Sequence, residues 1–145
     1  MNGLRNVLRP VTTASFATGI AWAALVFGAV ACGYSGPKVD AEGLKRMMET
    51  DGAALLILDV RPRSQFDERH IEGARNIPLE SLPALTGGIV KSRRKIAVIC
   101  TCGKRSLEAV HLLNKAGGDP ILVEGGMTAW EAAGFPTVSS ERIGR

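Results

Sequence analysis

The residues with the clearest chemical potential form one short loop, Cys100-Thr101-Cys102-Gly103-Lys104-Arg105-Ser106. An apolar run at 96–99, typical of a buried strand, precedes the loop, and a helical pattern of apolar residues at 107–116 follows it. The first N–H groups of a helix have no intrahelical acceptor, so a loop that opens a helix can bind an anion. This position predicts that Cys100 is a nucleophile in an anion-binding loop.

The other side chains of the loop support this chemistry. Lys104, Arg105 and the amino end of the helix add positive potential, which favours the thiolate, the nucleophilic form of a cysteine. Gly103 keeps the tightest point of the loop free of a Cβ atom. Ser106 is placed to cap the helix or to donate a hydrogen bond to a bound anion. The structural alternative for Cys100 is a buried cysteine that only ends a strand.

The spacing Cys-x-x-Gly-x-Arg-Ser resembles the active-site loop of the rhodanese-like (thiosulfate sulfurtransferase) family, with Cys100 as the sulfur-carrying residue. Further blocks that resemble the family occur in its order: Leu58-Asp59-Val60-Arg61, Phe66 with 70–78, 124–130, and Gly134-Phe135-Pro136. The resemblance covers about 39–138. Two positions depart from the family pattern: Arg69, where glycine is common, and Cys102, where a small polar residue is usual.

The resemblance implies a single α/β domain with a mostly parallel central sheet of about five strands and helices on both faces. It also implies a reaction, in which Cys100 takes the outer sulfur of an anionic donor such as thiosulfate. Cys100 would carry that sulfur as a persulfide and pass it to a thiol or protein acceptor. Arg105 is expected to hold the shape of the loop through its guanidinium group. No metal or cofactor is predicted, because the three cysteines lack the ligand spacing of a zinc site.

The length of the loop and its neighbours refine this expectation. Residues 100–105 make a six-residue loop, one residue shorter than in the related phosphatases and arsenate reductases of this fold. The shorter loop suits a sulfur atom rather than a tetrahedral phosphate. Asp59 and Arg61 end a neighbouring strand, and we expect a buried ion pair that shapes the rim of the site or only stabilises the fold. The resemblance gives His70 a place in the framework of the fold.

Two other functions remain open from the sequence. The first is a persulfide carrier, or sulfur-binding module, that passes sulfur to a protein partner without fast turnover. The second is a thiol-redox protein in which Cys102 attacks the Cys100 persulfide, releases sulfide and leaves a disulfide between the two residues. A bridge between cysteines so close in sequence is strained and easily reduced.

The amino-terminal segment is predicted to act in export or membrane attachment. No charged residue occurs at 10–37, and Arg5 and Arg9 precede this stretch. Residues 14–31 are uncharged and mostly apolar, and eighteen helical residues span about 27 Å, close to the thickness of the hydrocarbon core of a bilayer. The segment therefore has the length and the positive flank of a signal peptide or an anchor helix.

The end of this segment leaves three outcomes open. Ala29-Val30-Ala31 is typical of a signal-peptide cleavage site, and the next residue, Cys32, resembles the lipidated cysteine of a bacterial lipoprotein. Cleavage, lipidation of Cys32 and retention as an apolar helix all fit. We assign 1–37 as a signal or membrane-anchor segment with a linker, and 38–145 as the rhodanese-like domain. The positive flank favours a cytoplasmic amino terminus, which predicts an exported, periplasmic and membrane-tethered domain.

The composition fits one globular domain. The 145 residues are 46% hydrophobic and 22% charged, with a formal net charge of +4. Four basic residues, Lys91, Arg93, Arg94 and Lys95, cluster without aromatic neighbours. Such a cluster is typical of a solvated loop, so no nucleic-acid partner is predicted.

Hydrophobic patterning predicts strands at 54–60, 95–99 and 121–123 and helices at 40–48, 64–69, 105–116 and 127–133. A short helix at 80–85 is expected to be closed by Gly87-Gly88. In the helix at 105–116 the residues predicted to face the core are Leu107, Ala109, Val110, Leu113 and Ala116.

Overall fold

A computed structural model of the chain describes residues 34–140, which all belong to one structural unit. The strands are β1 (Lys38–Val39), β2 (Leu55–Asp59), β3 (Arg75–Asn76), β4 (Lys95–Ile99) and β5 (Pro120–Val123). The α-helices are α1 (Ala41–Asp51), α2 (Arg63–Glu68), α3 (Leu82–Lys91), α4 (Lys104–Lys115) and α5 (Gly126–Ala132). Short 3₁₀ turns occur at Gly52–Ala54 and Leu79–Ser81. The predicted apolar helix at 14–31 and the lipidation candidate Cys32 lie outside the described residues.

The five strands form one sheet in the order β1-β5-β4-β2-β3, and every pairing between these strands is parallel. This arrangement confirms the predicted α/β fold. In the interior of the sheet, β2 pairs with β4 so that Asp59 lies opposite Ile99. Both strands end there, and Val60 and Cys100 therefore follow them at the same edge of the sheet.

Helices cover both faces of the sheet, as the continuous apolar runs predict for strands that are buried on two sides. One face packs against α3 and α4 through Leu56, Leu58, Ile96 and Val98. The other face packs against α1 and α5 through Leu55, Ile57, Ala97 and Ile99. The residues from each strand alternate between the faces, as the pleat requires.

Local signals explain how two of the helices begin. Asp40 caps α1, because its Oδ1 accepts a hydrogen bond from the Gly43 N–H at 2.7 Å. The helix then runs past the predicted end near Met48 to Asp51, where Gly52 takes a left-handed φ of 48°. At α4 the N-cap position is Gly103, which adopts a φ of 108° that a glycine reaches without steric cost.

Two predictions about the elements are wrong. Gly87-Gly88 does not close the helix that the sequence places at 80–85, because α3 runs through both glycines to Lys91. Neither glycine has a positive φ, and the buried Leu82 and Ile89 fix the helix on the sheet. Ala116 is exposed instead of facing the core, because it follows the last residue of α4.

The two edge strands, β1 and β3, were not predicted. Each has only two residues, too few for an alternating pattern to be visible in the sequence. Among the helices of residues 34–140, none is long and apolar enough to cross a membrane.

Candidate active site

Cys100 lies directly after β4, in the loop that leads into α4. Its side chain is 1% exposed. Its Sγ accepts two hydrogen bonds, from the Gly103 N–H at 3.1 Å and from the Ser106 hydroxyl at 3.2 Å. Donors that point at sulfur stabilise the negative charge of a thiolate or a persulfide. The Ser106 hydroxyl is thus placed to donate to an anionic sulfur. Gly103 contributes its N–H and its left-handed φ, but its expected role at a tight point is wrong, because a Cβ atom there would meet nothing within 4 Å.

The Ser106 hydroxyl lies between two acceptors. Its Oγ is 3.2 Å from the Cys100 Sγ and 3.2 Å from the Gly103 carbonyl oxygen. A serine hydroxyl carries one proton, so it donates to only one of these acceptors at a time. Ser106 itself is fully buried, which holds the hydroxyl in this position.

The amino end of α5 fixes the backbone of the loop. The Met127 N–H donates to the Cys100 carbonyl at 2.8 Å, and the Thr128 N–H donates to the Thr101 carbonyl at 3.1 Å. The Thr128 hydroxyl donates to the same Thr101 carbonyl at 3.0 Å. Nothing in the sequence indicates that α5 contacts the loop, so this role of 127–128 is a finding of the structure.

Gly126 permits the close approach of α5 to the loop. It has a φ of 56°, and a Cβ atom at this position would overlap the Cys100 carbonyl oxygen and lie 2.8 Å from the Thr101 carbonyl oxygen. The Gly125-Gly126 pair is visible in the sequence as part of a family block. The reason for a glycine at position 126 becomes clear only from the contact between α5 and the loop, which leaves no room for a Cβ atom.

Helix α2 supplies a further contact that the sequence analysis missed. The Thr101 hydroxyl donates to Gln65 Oε1 at 3.3 Å, and both side chains are exposed. The contact joins α2 to the outer side of the loop. No local sequence signal identifies Gln65, because glutamine on an exposed helix face is common.

The predicted ion pair between Asp59 and Arg61 is present and buried. The two residues are 1% and 5% exposed, and Arg61 Nη2 lies 2.6 Å from Asp59 Oδ2. The Arg61 guanidinium also donates to the Arg69 carbonyl. The intervening Val60 donates its N–H to the Ile99 carbonyl at 3.0 Å, directly before Cys100. The pair thus fixes the strand end that borders the loop.

Arg105 does not tie the loop as predicted. Among residues 34–140, its guanidinium makes no hydrogen bond to the loop, and its Nη1 is buried without a partner. A buried donor without an acceptor costs free energy. A bound anion would supply the missing acceptor, so Arg105 fits a ligand contact better than a structural one.

The remaining candidate residues divide into exposed and structural groups. Thr101, Cys102 and Lys104 are exposed at the mouth of the loop, and the Cys102 thiol is free. His70 is buried, its Nδ1 lies 2.7 Å from the Phe66 carbonyl oxygen, and its ring stacks on that of Phe66. These contacts place His70 in the framework, as the resemblance implies.

Comparisons with known proteins identify the family of the chain. The family model described as Rhodanese-like domain matches residues 40–133. The chain is 28% identical to a sulfurtransferase of Allochromatium vinosum over 105 residues, which are 72% of this chain and 96% of that protein. It is 30% identical to a candidate sulfur carrier protein of Bacillus subtilis over 95 residues, which are 65% of this chain and 50% of that protein.

Solved structures show the same fold. The crystal structure of a rhodanese-related protein from Thermoplasma volcanium has a TM-score of 0.62 and 32% identity, and the match covers 70% of this chain and 97% of that chain. The chain spans 54% of the length of a similar, uncharacterized protein from Synechocystis. The extent of the family match and these likenesses lead to one conclusion: the chain belongs to the Rhodanese-like domain family.

Proposed function

We propose that this chain is a sulfurtransferase that moves a sulfane sulfur from thiosulfate, or from a related persulfide or polysulfide donor, to a thiophilic acceptor. The observation that carries the proposal is the environment of the Cys100 Sγ, which accepts hydrogen bonds from the Gly103 N–H and the Ser106 hydroxyl. Relatives named as a sulfurtransferase and a candidate sulfur carrier support the same class of chemistry.

The reaction divides into two substitutions at sulfur. The Cys100 thiolate attacks the outer sulfur of thiosulfate, and the bond between the two sulfur atoms of the donor breaks. Sulfite leaves with the electron pair, and Cys100 carries a persulfide. An acceptor nucleophile then attacks the outer sulfur, and Cys100 leaves as a thiolate. Covalent capture on the enzyme splits one transfer into two easier steps.

The protein supplies charge stabilisation and orientation for both steps. The Gly103 N–H and the Ser106 hydroxyl stabilise the negative sulfur of Cys100, as the donors of an oxyanion hole stabilise an oxygen. The unpartnered Nη1 of Arg105 and the exposed ammonium of Lys104 offer positive partners to the sulfonate group of the donor. The hydrogen bonds from α5 hold the loop in this shape before the donor arrives.

The test is steady-state transfer of sulfur from thiosulfate to cyanide. Cys100→Ser should abolish the transfer, because a serine hydroxyl is scarcely ionised at neutral pH. The fold of this variant should stay intact. Aryl-phosphate hydrolysis serves as the parallel assay and should stay at background, since the six-residue loop suits one sulfur atom. Full activity in Cys100→Ser, or a robust phosphatase activity that this variant loses, would contradict the proposal.

Two alternatives make different predictions in the same assays. A persulfide carrier loads Cys100 once and shows no steady turnover of thiosulfate with cyanide. A thiol-redox protein loses its activity in Cys102→Ser, whereas a sulfurtransferase still turns over in that variant. The Bacillus subtilis relative favours the carrier as the stronger of these two alternatives.

We propose in addition that residues 1–37 export the domain and tether it to the membrane. The support is the charge-free stretch at 10–37 behind Arg5 and Arg9, with Cys32 after a cleavage pattern. Intact-mass measurement of the native protein tests this proposal. A mass that lacks residues 1–31 and includes a lipid on Cys32 would establish lipidation, and an unmodified full-length chain found only in the cytoplasm would refute export.

A further inference from the structure

The two thiols of the loop differ sharply in their access to solvent. Cys100 is 1% exposed, whereas Cys102, two residues later, is exposed and free. A small acceptor such as cyanide can enter the loop to reach a sulfur on Cys100. A thiol carried by a protein meets the rim of the loop first, where Thr101, Cys102 and Lys104 are exposed.

We propose that Cys102 is a relay thiol, which takes the sulfane sulfur from Cys100 and presents it at the surface to the thiol of a protein acceptor. The proposal rests on the proposed sulfurtransferase function and adds a class of acceptor to it. It gives a role to the loop position at which the sequence departs from the rhodanese-like pattern.

The relay step is balanced without an external oxidant or reductant. The Cys102 thiolate attacks the outer sulfur of the Cys100 persulfide, a bond forms between Cys102 Sγ and that sulfur, and the bond to Cys100 Sγ breaks. Cys100 leaves as a thiolate with the electron pair. The acceptor thiolate then attacks the outer sulfur on Cys102 in the same way, and Cys102 returns to a thiolate.

The spacing of the two cysteines in sequence keeps them within reach of each other. Residues two positions apart have Cα atoms at most about 7 Å from each other, which includes the range that bonded cysteines span. Neighbouring loop residues are held, since the carbonyls of Cys100 and Thr101 accept from α5 and the Gly103 N–H donates to Cys100 Sγ. Cys102 makes no hydrogen bond to any residue within 34–140, so its side chain is free to turn toward the persulfide.

The charge of the surroundings favours Cys102 as a nucleophile. It stands directly before the N-cap of α4, where the helix dipole is positive. Lys104 is exposed beside it, and residues 100–107 include no acidic residue. A positive setting of this kind stabilises the negative charge that passes from one sulfur atom to the other during the transfer. Between thiols on one loop, the step is also intramolecular, which gives it a large advantage in effective concentration.

The experiment follows a labelled sulfur on the full-length chain. The protein is loaded without oxygen with thiosulfate that carries a heavy isotope in its outer sulfur, and in parallel with glutathione persulfide. Samples are quenched by alkylation over time and digested with trypsin. Both thiols lie on the tryptic peptide 96–104, and its fragment ions separate Cys100 from Cys102. The relay predicts label on Cys100 first and on Cys102 afterwards.

Two acceptors of different size give the second readout. Loaded protein is mixed with cyanide or with a thiol-terminated polyethylene glycol, whose bulk stands in for a protein acceptor. Cys102→Ser should slow transfer to the polymer thiol at least about tenfold more than it slows transfer to cyanide, because the intramolecular step is lost. The ratio of the two rates corrects for any general disturbance of the loop.

The outcomes separate the relay from the underlying function. In Cys100→Ser neither thiol should carry label, and label on Cys102 in this variant would overturn the relay, because Cys102 would then load directly. Label confined to Cys100 in the unmodified chain, with Cys102→Ser slowing both acceptors equally, would also overturn it. No label on either thiol from either donor would refute the proposed function, and the relay with it.

Discussion

At the scale of single residues, the stabilisation of one sulfur atom depends on very few donors. The Cys100 Sγ accepts hydrogen bonds from the Gly103 N–H and from the Ser106 hydroxyl, and Arg105 Nη1 has no hydrogen-bond partner among residues 34–140. When this buried sulfur carries a negative charge, each of the two donors that reach it contributes more than an ordinary hydrogen bond. Removal of a single donor should therefore be visible in the rate of transfer.

Ser106→Ala removes the hydroxyl donor without adding volume. A hydrogen bond to a charged group is worth about 1.5–3 kcal/mol, so kcat/KM for thiosulfate should fall roughly 10- to 100-fold. The temperature of thermal unfolding should change little. The Gly103 carbonyl loses the Ser106 hydroxyl but still accepts a hydrogen bond from the Leu107 N–H at 3.0 Å. An unchanged kcat/KM would show that Ser106 serves the helix and not the sulfur.

Arg105→Ala removes the unpartnered guanidinium donor. Loading of Cys100 from thiosulfate should slow roughly 10²-fold, in line with the loss of one preorganised charge contact. Loading from an uncharged disulfane should slow less, because that donor has no sulfonate group for Arg105 to bind. Rapid-quench measurement of persulfide formation with both donors gives the comparison, and equal losses would argue against a contact with the donor anion.

At the scale of elements, the active-site loop depends on the approach of α5. Gly126 has a positive φ, and a side chain there would meet the carbonyls of Cys100 and Thr101. Gly134 offers a matched comparison, because its φ is 75° but nothing lies within 4 Å of a Cβ atom at that position. The two glycines share the backbone strain and differ in the steric overlap.

Gly126→Ala should therefore cost more than Gly134→Ala in both stability and activity. A residue with a side chain at positive φ costs about 1–2 kcal/mol, which sets the expected loss for Gly134→Ala in urea unfolding. Gly126→Ala should exceed that loss and should also slow transfer to cyanide, because α5 must move away from the loop. Equal losses in the two variants would show that the contact of α5 does not shape the loop.

Several elements could be predicted because their signals are local. The cap at Asp40, the apolar run that becomes β4 and the loop from Cys100 to Ser106 are all readable as residue types at fixed spacings. The contacts of Gln65 and Thr128 with Thr101 could not be predicted, because they join residues far apart in sequence. The burial of Arg105 Nη1 without a hydrogen-bond partner among residues 34–140 could not be predicted either, because the burial of one atom depends on the packing around it.

The length of α3 shows why a local signal can fail. Gly87-Gly88 usually predicts the end of a helix, because glycine has a low helix propensity and favours the left-handed C-cap. In this fold Leu82 precedes the two glycines in sequence and Ile89 follows them, and both side chains are buried against the sheet. Tertiary packing therefore continues the helix through a sequence that would not hold it alone.

At the scale of the whole molecule, the first described residues form one edge of the sheet. The Leu122 N–H donates to the Pro37 carbonyl at 2.9 Å, and the Glu124 N–H donates to the Val39 carbonyl at 2.8 Å. Val39 also packs against the apolar cluster on the α1 and α5 face. Pro37, assigned from the sequence to the linker at the end of 1–37, is thus hydrogen-bonded to the sheet of the domain.

A chain that starts at Tyr34 should fold and transfer sulfur like the full-length chain, because 34–140 include the five strands of the sheet and both apolar clusters. A chain that starts at Asp40 should melt at a lower temperature, since it lacks β1 and leaves the edge of β5 unpaired. Thermal unfolding and cyanide turnover of both chains, against the full-length protein in one detergent, provide the test. Aggregation of the chain from Tyr34 would show that 1–33 belongs to the fold.

The pairing of β1 with β5 also means that the sheet of a nascent chain stays incomplete until β5 has been synthesised. Lys38 and Val39 are made early, yet their partners Leu122 and Val123 are among the last residues of the fold to emerge. The N–H groups of 127–128, which hold the loop of Cys100, appear later still. A nascent chain therefore carries Cys100 before it carries the residues that hold the loop, and the loop can take its final shape only after residue 128 has been made.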